Sequence, residues 1–235
     1  MGKRHAKNLT LVTVGKKYGI DEAFALFETF QGPKFDETVN IAFRLGVDTK
    51  QSDQQVRGAT VLPNGIGNKV RVLVFAKGAK VQEAQAAGAD FVGAEDLVEK
   101  INGGWMDFDK VIATPDMMVA VSKVGKILGP RGLMPNPKTG TVTMDLSKAI
   151  NDERKGKVEF RAEKAGIVHS PIGKRSFGAA KLKENFLALT EAVMKLKPAT
   201  SKGAFVRSVT VSGAMTPGIR METNQLDSGA TNEGD

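Results

Sequence analysis

Cysteine is absent from the 235 residues of the chain. This absence excludes both a disulfide framework and a thiolate metal site. The chain has two histidines, His5 and His169, and neither has a partner at the spacing of metal ligands. We therefore expect no metal ion.

Long apolar runs are also absent. No stretch approaches the ~18 uninterrupted apolar residues of a membrane-spanning helix. The basic start, with Lys3, Arg4 and Lys7, is not followed by the apolar core of a signal peptide. We expect a cytoplasmic protein with no membrane partner. Hydrophobic residues still make up 41% of the chain, which is enough to form buried cores.

Fingerprints of nucleotide binding and catalysis are missing too. The sequence has no Gly-x-x-x-x-Gly-Lys-Ser/Thr motif, and no Gly-x-Gly-x-x-Gly follows the apolar run Val70–Phe75. His169 and Ser170 are adjacent, and neighbouring residues of a strand point to opposite faces, so they do not form a catalytic pair. We expect no catalytic residue, no cofactor and no small-molecule substrate. The alternative function from a different class is an enzyme that uses a nucleotide.

One stretch of the chain, Val124–Val142, contains no acid. It has four glycines, three prolines and the cations Lys126, Arg131 and Lys138. Proline restricts φ and glycine tolerates positive φ, so this stretch is a shaped loop rather than an open linker. A loop with cations and no acid is suited to lie beside a phosphate backbone.

Positive charge is concentrated at the two ends of the chain. The formal net charge is +8, and residues 1–66 with 158–221 carry 20 Lys/Arg against 11 Asp/Glu. Residues 67–157 are nearly balanced, with 14 basic against 11 acidic residues. A basic surface promotes solubility, but this uneven distribution favours a polyanionic partner.

Residues 67–157 alternate between strand and helix patterns. Val70–Phe75 is a near-continuous apolar strand of the kind that is buried on both faces. An Ala-rich helix follows over Lys77–Ala87, and Phe108–Ala113 is a further strand. This alternation predicts βαβ units with a mostly parallel sheet. The segment therefore resembles a Rossmann-like α/β domain.

The two ends of the chain complement each other. Residues 1–66 hold one helix and two strands, of which Thr38–Arg44 alternates apolar and polar residues. Residues 158–221 hold a hairpin, the amphipathic helix Gly178–Lys197 and one strand, and neither end can bury a core alone. The predicted fold class is α/β with two domains. An α+β domain combines 1–66 with 158–221, an inserted α/β domain spans 67–157, and the acidic tail 222–235 is expected to be disordered.

The α+β domain also carries the candidate binding residues. Basic side chains neutralise phosphates, and hydroxyls can contact the sugars of a folded RNA. Phe35 either stacks on a base or belongs to the core, and His169 is either a hydrogen-bonded strand residue or a contact to a ligand. The candidates are Lys34, Phe35, Arg57, Arg161, Lys164, His169, Lys174, Ser208, Met215 and Thr216, with Lys126, Arg131 and Lys138 as secondary RNA contacts.

The stretch Leu128-Gly-Pro-Arg-Gly-Leu-Met-Pro-Asn-Pro-Lys138 resembles the signature of the ribosomal L-one family, in its bacterial type. Further similar motifs follow in order along nearly the whole chain. They are Lys34-Phe-Asp-Glu-Thr-Val39, Ser52-Asp-Gln-Gln-Val-Arg-Gly58, Gly88-Ala-Asp90, Trp105-Met-Asp-Phe-Asp109, Ile167-Val-His169, Ile172-Gly-Lys174 and Lys202-Gly203.

The resemblance implies a non-enzymatic, two-domain constituent of the large ribosomal subunit. Its terminal domain would bind large-subunit rRNA at the mobile stalk. It would assist release of deacylated tRNA from the exit site and repress translation of its own operon mRNA. The alternative within RNA binding is a free regulator that does not join the ribosome.

The resemblance also implies RNA contacts at Phe35, Thr38, Arg57, Arg161, Lys164, Ser208 and Met215. One motif departs from the family pattern, since the chain reads Ala214-Met215-Thr216 where the family usually has Thr-Met-Gly. One hydroxyl is lost, and a β-branched residue replaces the glycine. A lost polar contact costs about 0.5–1.5 kcal/mol, which bears most on the mRNA-binding role.

Overall fold

The computed structural model describes residues 2–201 and 203–223. Packing divides these residues into two compact units. Unit 1 combines the chain up to Gly67 with the chain from Val158 onward, and unit 2 is Asn68–Lys157. The expected disordered tail, 222–235, lies outside the described residues except for Glu222 and Thr223.

The described residues form eight α-helices and nine strands. The helices are α1 Lys3–Thr10, α2 Ile20–Thr29, α3 Ala79–Ala86, α4 Glu95–Asn102, α5 Met118–Ser122, α6 Gly125–Leu128, α7 Leu146–Lys155 and α8 Gly178–Lys195. The strands are β1 Thr38–Leu45, β2 Arg57–Val61, β3 Val72–Phe75, β4 Phe91–Gly93, β5 Lys110–Ala113, β6 Lys157–Arg161, β7 Ile167–Lys174, β8 Val206–Gly213 and β9 Ile219–Met221. Within these residues no helix has both the length and the apolar character needed to cross a membrane.

Unit 1 is built around an antiparallel sheet with strand order β7-β1-β8-β9. Strand β1 alternates as its sequence predicts, with Val39, Ile41, Phe43 and Leu45 buried. Helices α2 and α8 cover that face. Phe186 of α8 stacks on Phe43 with ring centres 6.2 Å apart, and Phe24 of α2 meets Phe186 edge-on at 5.8 Å. This aromatic cluster joins residues from both ends of the chain in one core.

Unit 2 contains a three-stranded parallel sheet, with β3 between β4 and β5. Strand β3 is buried on both faces, since Leu73 and Phe75 belong to one apolar cluster and Val72 and Val74 to another. The α/β fold class and the parallel arrangement of these strands are thus confirmed. Helices cover both faces of this sheet, because parallel strands are joined by crossover connections that pass over its faces.

Helix α1 and strand β9 have no counterpart among the elements predicted from sequence. Periodicity did not indicate α1 because the helix presents no apolar stripe to the core, and its only buried residue is Asn8. Strand β9 is three residues long and pairs with β8, so it is too short for an alternation to be read. In the Val124–Val142 loop, Gly125–Leu128 forms the short helix α6.

Asn185 of α8 is buried and connects three parts of unit 1. Its Oδ1 accepts a hydrogen bond from the Asn64 amide at 3.0 Å. Its Nδ2 donates to the carbonyls of Gly65, at 3.0 Å, and Ile172, at 2.7 Å. The side chain therefore satisfies backbone groups in the segment that leaves unit 1 and in strand β7.

We expect Asn185→Ala to destabilise unit 1 by about 2–4 kcal/mol, because it leaves these backbone groups without partners. Urea unfolding followed by circular dichroism measures the change. Asn64→Ala is the matched control, since it removes only exposed side-chain hydrogen bonds and should cost under about 1 kcal/mol. Equal unfolding midpoints for the two variants would contradict the role given to Asn185.

Candidate nucleic-acid interface

The face of the unit 1 sheet opposite the helices carries polar and basic side chains. On β1 it presents Thr38, Asn40, Ala42 and Arg44, all of them half-buried or exposed. The paired strands add residues in register with these four. We define the open face as ten of these residues, Thr38, Asn40, Ala42, Arg44, His169, Lys174, Ser208, Thr210, Ser212 and Arg220. The half-buried Ile167 and Pro171 pair with Arg44 and Asn40 on the same side.

None of the ten residues of the open face is acidic. Arg44 lies opposite Ser208 and His169 opposite Ala42. At one end Lys174 donates to the Thr38 hydroxyl at 2.9 Å. The face therefore combines cations with hydroxyls over the length of β1, about 23 Å, which is the composition that a phosphate–sugar backbone requires.

Phe35 and Met215 are exposed at the Thr38 end of the open face. Their exposed fractions are 56% and 51%, so Phe35 is not a core residue. The turn that carries Met215 is attached to the start of β1, because the Ala214 amide donates to the Thr38 carbonyl at 3.1 Å. The structure therefore gathers Phe35, Thr38, Lys174 and Met215 at one end of the sheet.

Glu37 is fully buried beneath this end of the open face. One carboxylate oxygen accepts from Arg175 Nη1 at 2.8 Å, and the other accepts from the Met215 amide at 3.1 Å. The Arg175 amide in turn donates to the Glu37 carbonyl at 2.9 Å. Glu37 therefore fixes the Met215 turn to the loop that carries Phe35.

Arg175 faces inward, although it lies in a basic part of the sequence. Its Nη2 donates to the carbonyls of Phe30 and Glu28, and its guanidinium lies 5.6 Å from the centre of the Phe27 ring. Only 23% of its side chain is exposed. Arg175 thus acts as the partner of Glu37 and of the α2 end, and its charge is directed away from solvent.

Thr216 shapes the turn from inside. It is buried, and its hydroxyl accepts from the Gly213 amide at 3.0 Å. Gly213 must remain a glycine here, since a Cβ would lie 2.6 Å from the Thr216 hydroxyl and 2.7 Å from the Glu37 carboxylate. The β-branched residue that departs from the family pattern therefore has a place in the fold.

Asp36 ties the Phe35 loop to the chain that follows β7. The Ser176 hydroxyl and amide donate to its carboxylate at 2.6 and 3.1 Å. These hydrogen bonds, with a smaller contribution from the Lys174 charge, lower the pKa of Asp36 below its usual value. The carboxylate stays ionised at neutral pH and engaged with Ser176, so it balances part of the positive charge near Lys174.

Arg57, Arg161 and Lys164 lie toward the other end of β1. The β6–β7 hairpin tip is joined there, since the Leu45 amide donates to the Gly166 carbonyl at 2.8 Å. The Thr49 hydroxyl donates to the Lys164 carbonyl at 2.8 Å. The residues next to Arg57 and Arg161 are joined directly, because Ala162 donates to the Val56 carbonyl at 2.8 Å.

The acid-free loop belongs to unit 2, so Lys126, Arg131 and Lys138 are not part of the open face. All three side chains are exposed. Asn136 holds the loop in shape. Its side chain accepts from the Lys138 amide at 2.8 Å, and its own amide donates to the Thr141 hydroxyl at 2.8 Å. The loop therefore presents its cations on a defined backbone.

Sequence reasoning missed several residues of the open face. These are Asn40, Arg44, Thr210, Ser212 and Arg220. The first two alternate with the apolar positions of β1, so the period-two pattern that predicted the strand also indicated them. Arg220 had no such indication, because β9 was not predicted.

The described residues contain no group of three or more His, Asp or Glu side chains arranged to hold a metal ion.

The comparisons with known proteins point to one family. The family model described as "Ribosomal protein L1p/L10e family" matches residues 27–217. The chain belongs to this family. It is a ribosomal protein, structural rather than enzymatic, and both predictions are confirmed.

A curated relative agrees with the family match. The large ribosomal subunit protein uL1 of Bdellovibrio bacteriovorus is 60% identical over 223 residues, covering 95% of each chain. The prediction that the chain is a bacterial-type member of this family is therefore confirmed. Family membership also places the open face, with its cations and hydroxyls, in a protein that works in a ribonucleoprotein particle.

Proposed function

We propose that the open face and the residues at its two ends bind large-subunit rRNA at the base of the mobile stalk. The protein is a constituent of the large ribosomal subunit and is ribosome-associated in the cytoplasm. The observation that carries the proposal is an acid-free sheet face about 23 Å long, with exposed Phe35 and Met215 at one end. An RNA backbone satisfies both the cations and the hydroxyls of such a face.

The candidate residues have three roles in this proposal. Lys34, Arg57, Arg161, Lys164 and Lys174 neutralise phosphates. Thr38, Ser208 and His169 contact sugar hydroxyls or base edges, since the 2′-hydroxyl both donates and accepts. Phe35 and Met215 contact base faces, and Thr216 acts indirectly by shaping the turn that presents Met215.

Unit 2 supplies the moving part of the proposed function. Its exposed loop cations, Lys126, Arg131 and Lys138, make secondary contacts with stalk RNA or with exit-site tRNA, and the protein assists release of deacylated tRNA. The same open face binds a messenger segment that resembles the rRNA site and represses translation of the operon. Translation of the operon mRNA with added protein tests that last role, and unchanged output at saturating protein would overturn it.

Binding to a stalk rRNA fragment should fall steeply with salt. The five cations of the open face and its ends predict a slope of log K against log salt at least as steep as roughly −3.5 to −4.5. Fluorescence anisotropy across a salt series measures it, with an unrelated hairpin of equal length as the control RNA. A flat response, or equal affinity for both RNAs, would overturn the rRNA-binding proposal.

Sedimentation separates a ribosomal constituent from a free regulator that binds RNA. The protein should sediment with large subunits at physiological salt. A chain that binds the stalk fragment but stays at the top of the gradient would favour the free regulator.

A further inference from the structure

Helix α1 is basic and has no acid near it in sequence. Lys3, Arg4 and Lys7 fall within its eight residues, and the first acid of the chain is Asp21. Among the described residues no carboxylate forms an ion pair with any of the three cations. Lys3 and Lys7 are exposed and, four positions apart, lie on the same side of the helix.

The core of unit 1 does little to hold α1. Asn8 is its one buried residue, and the apolar Leu9 is 41% exposed. An isolated helix of this length is not stable in water. Packing of an apolar face therefore does not explain why α1 is held in place.

Hydrogen bonds between Asn8 and Gln31 hold α1 instead, and we call this pair the Asn8 latch. Asn8 Nδ2 donates to the Gln31 carbonyl at 2.9 Å, and the Gln31 amide donates to Asn8 Oδ1 at 2.9 Å. Arg4 Nη1 adds a longer hydrogen bond of 3.5 Å to the Gly32 carbonyl. Asn8 is 1% exposed, so this paired interaction is shielded from water and fixes the position of the helix.

The latch attaches α1 to the loop that carries the candidate RNA contacts. Gln31 and Gly32 lead directly into Lys34 and Phe35. Gly32 also packs on Arg175, since a Cβ there would lie 2.8 Å from Arg175 Nη1. That guanidinium binds Glu37, which holds the Met215 turn. A chain of direct contacts thus runs from α1 to the Phe35 end of the open face.

We propose that α1 is an additional phosphate-binding arm, which extends the RNA contact beyond Phe35 through the exposed Lys3 and Lys7. The inference rests on the proposed rRNA binding of the open face. The occupant is an RNA backbone because the helix carries cations and no acid, and phosphates are the anions that such a basic segment neutralises. The Asn8 latch keeps these charges next to Lys34.

The double variant Lys3→Gln/Lys7→Gln tests the arm in the full-length protein. Because two phosphate contacts are lost, the salt slope should become shallower. The affinity at about 50 mM salt divided by the affinity at about 200 mM salt should be roughly tenfold smaller than for the wild type. The control, Lys181→Gln/Lys197→Gln, removes the same charge from exposed positions on and after α8 and should leave the slope unchanged. Equal slopes for the two double variants would overturn the proposal and assign α1 to an ordinary solvated surface.

Asn8→Ala is a second test that changes no charge. It removes the latch, so the salt slope should fall as it does in the double lysine variant. An unchanged slope would overturn the role of the latch. Failure of the underlying function looks different, because the wild-type protein would then fail to distinguish the stalk fragment from the control hairpin.

Discussion

Replacing Glu37 with alanine should destabilise unit 1 by about 3 kcal/mol, because it leaves the guanidinium of Arg175 without its anionic partner. Glu37 is fully buried, and the side chain of Arg175 is largely buried. The change also removes the acceptor of the Met215 amide, so affinity for the stalk fragment should fall as well. Urea unfolding and fluorescence anisotropy measure the two effects.

A conservative variant separates the structural effect from the effect on RNA. Glu37→Gln keeps an oxygen for the Met215 amide and loses the charge, so its affinity should lie between those of wild type and Glu37→Ala. Glu191→Gln is the control, since it removes an exposed carboxylate on α8 and should leave both quantities unchanged. A wild-type unfolding midpoint for Glu37→Ala would contradict the role given to the buried pair.

The double variant Glu37→Ala/Arg175→Ala should be more stable than the sum of its single changes predicts. Each single change leaves one buried charge unpaired, and the double change leaves none. Additive unfolding free energies would show that the two side chains do not act as a pair. The salt slope of RNA binding should stay close to the wild-type value, since neither residue contacts a phosphate in the proposed complex.

Replacing Phe35 with alanine should reduce affinity for the stalk fragment by roughly 5- to 150-fold. Stacking of one base on an aromatic ring contributes about 1–3 kcal/mol. Because the ring is 56% exposed in the free protein, the unfolding midpoint should change little. The salt slope should also remain the same, since the ring contacts no phosphate. Anisotropy titrations at two salt concentrations, together with urea unfolding, measure all three quantities.

Leu187→Ala is the matched control for Phe35. Leu187 is a 44% exposed apolar residue on α8 of the same unit, and α8 covers the opposite face of the sheet. Its loss should leave RNA affinity unchanged. If Phe35→Ala bound RNA as tightly as Leu187→Ala, the stacking role would be wrong, although the electrostatic part of the proposal would stand.

Local patterns in the sequence determined the fold class. The alternation in Thr38–Arg44 predicted which residues of β1 are buried, and the apolar run before Phe75 predicted a strand buried on both sides. Both predictions succeeded because burial of a strand face depends on a period of two residues that neighbours in sequence already display. The motif of the acid-free loop also indicated the family, because it resembles the family signature.

Only the tertiary structure decided what the polar residues do. The sequence left Phe35 between core and surface, and the structure exposes it. The sequence placed Thr216 among the RNA contacts, whereas the structure buries its hydroxyl in a turn. Glu37 and Arg175 are 138 positions apart in the chain, so no local pattern reveals that one neutralises the other. Burial of a charge depends on which distant partner the fold brings to it, and the sequence alone does not display that partner.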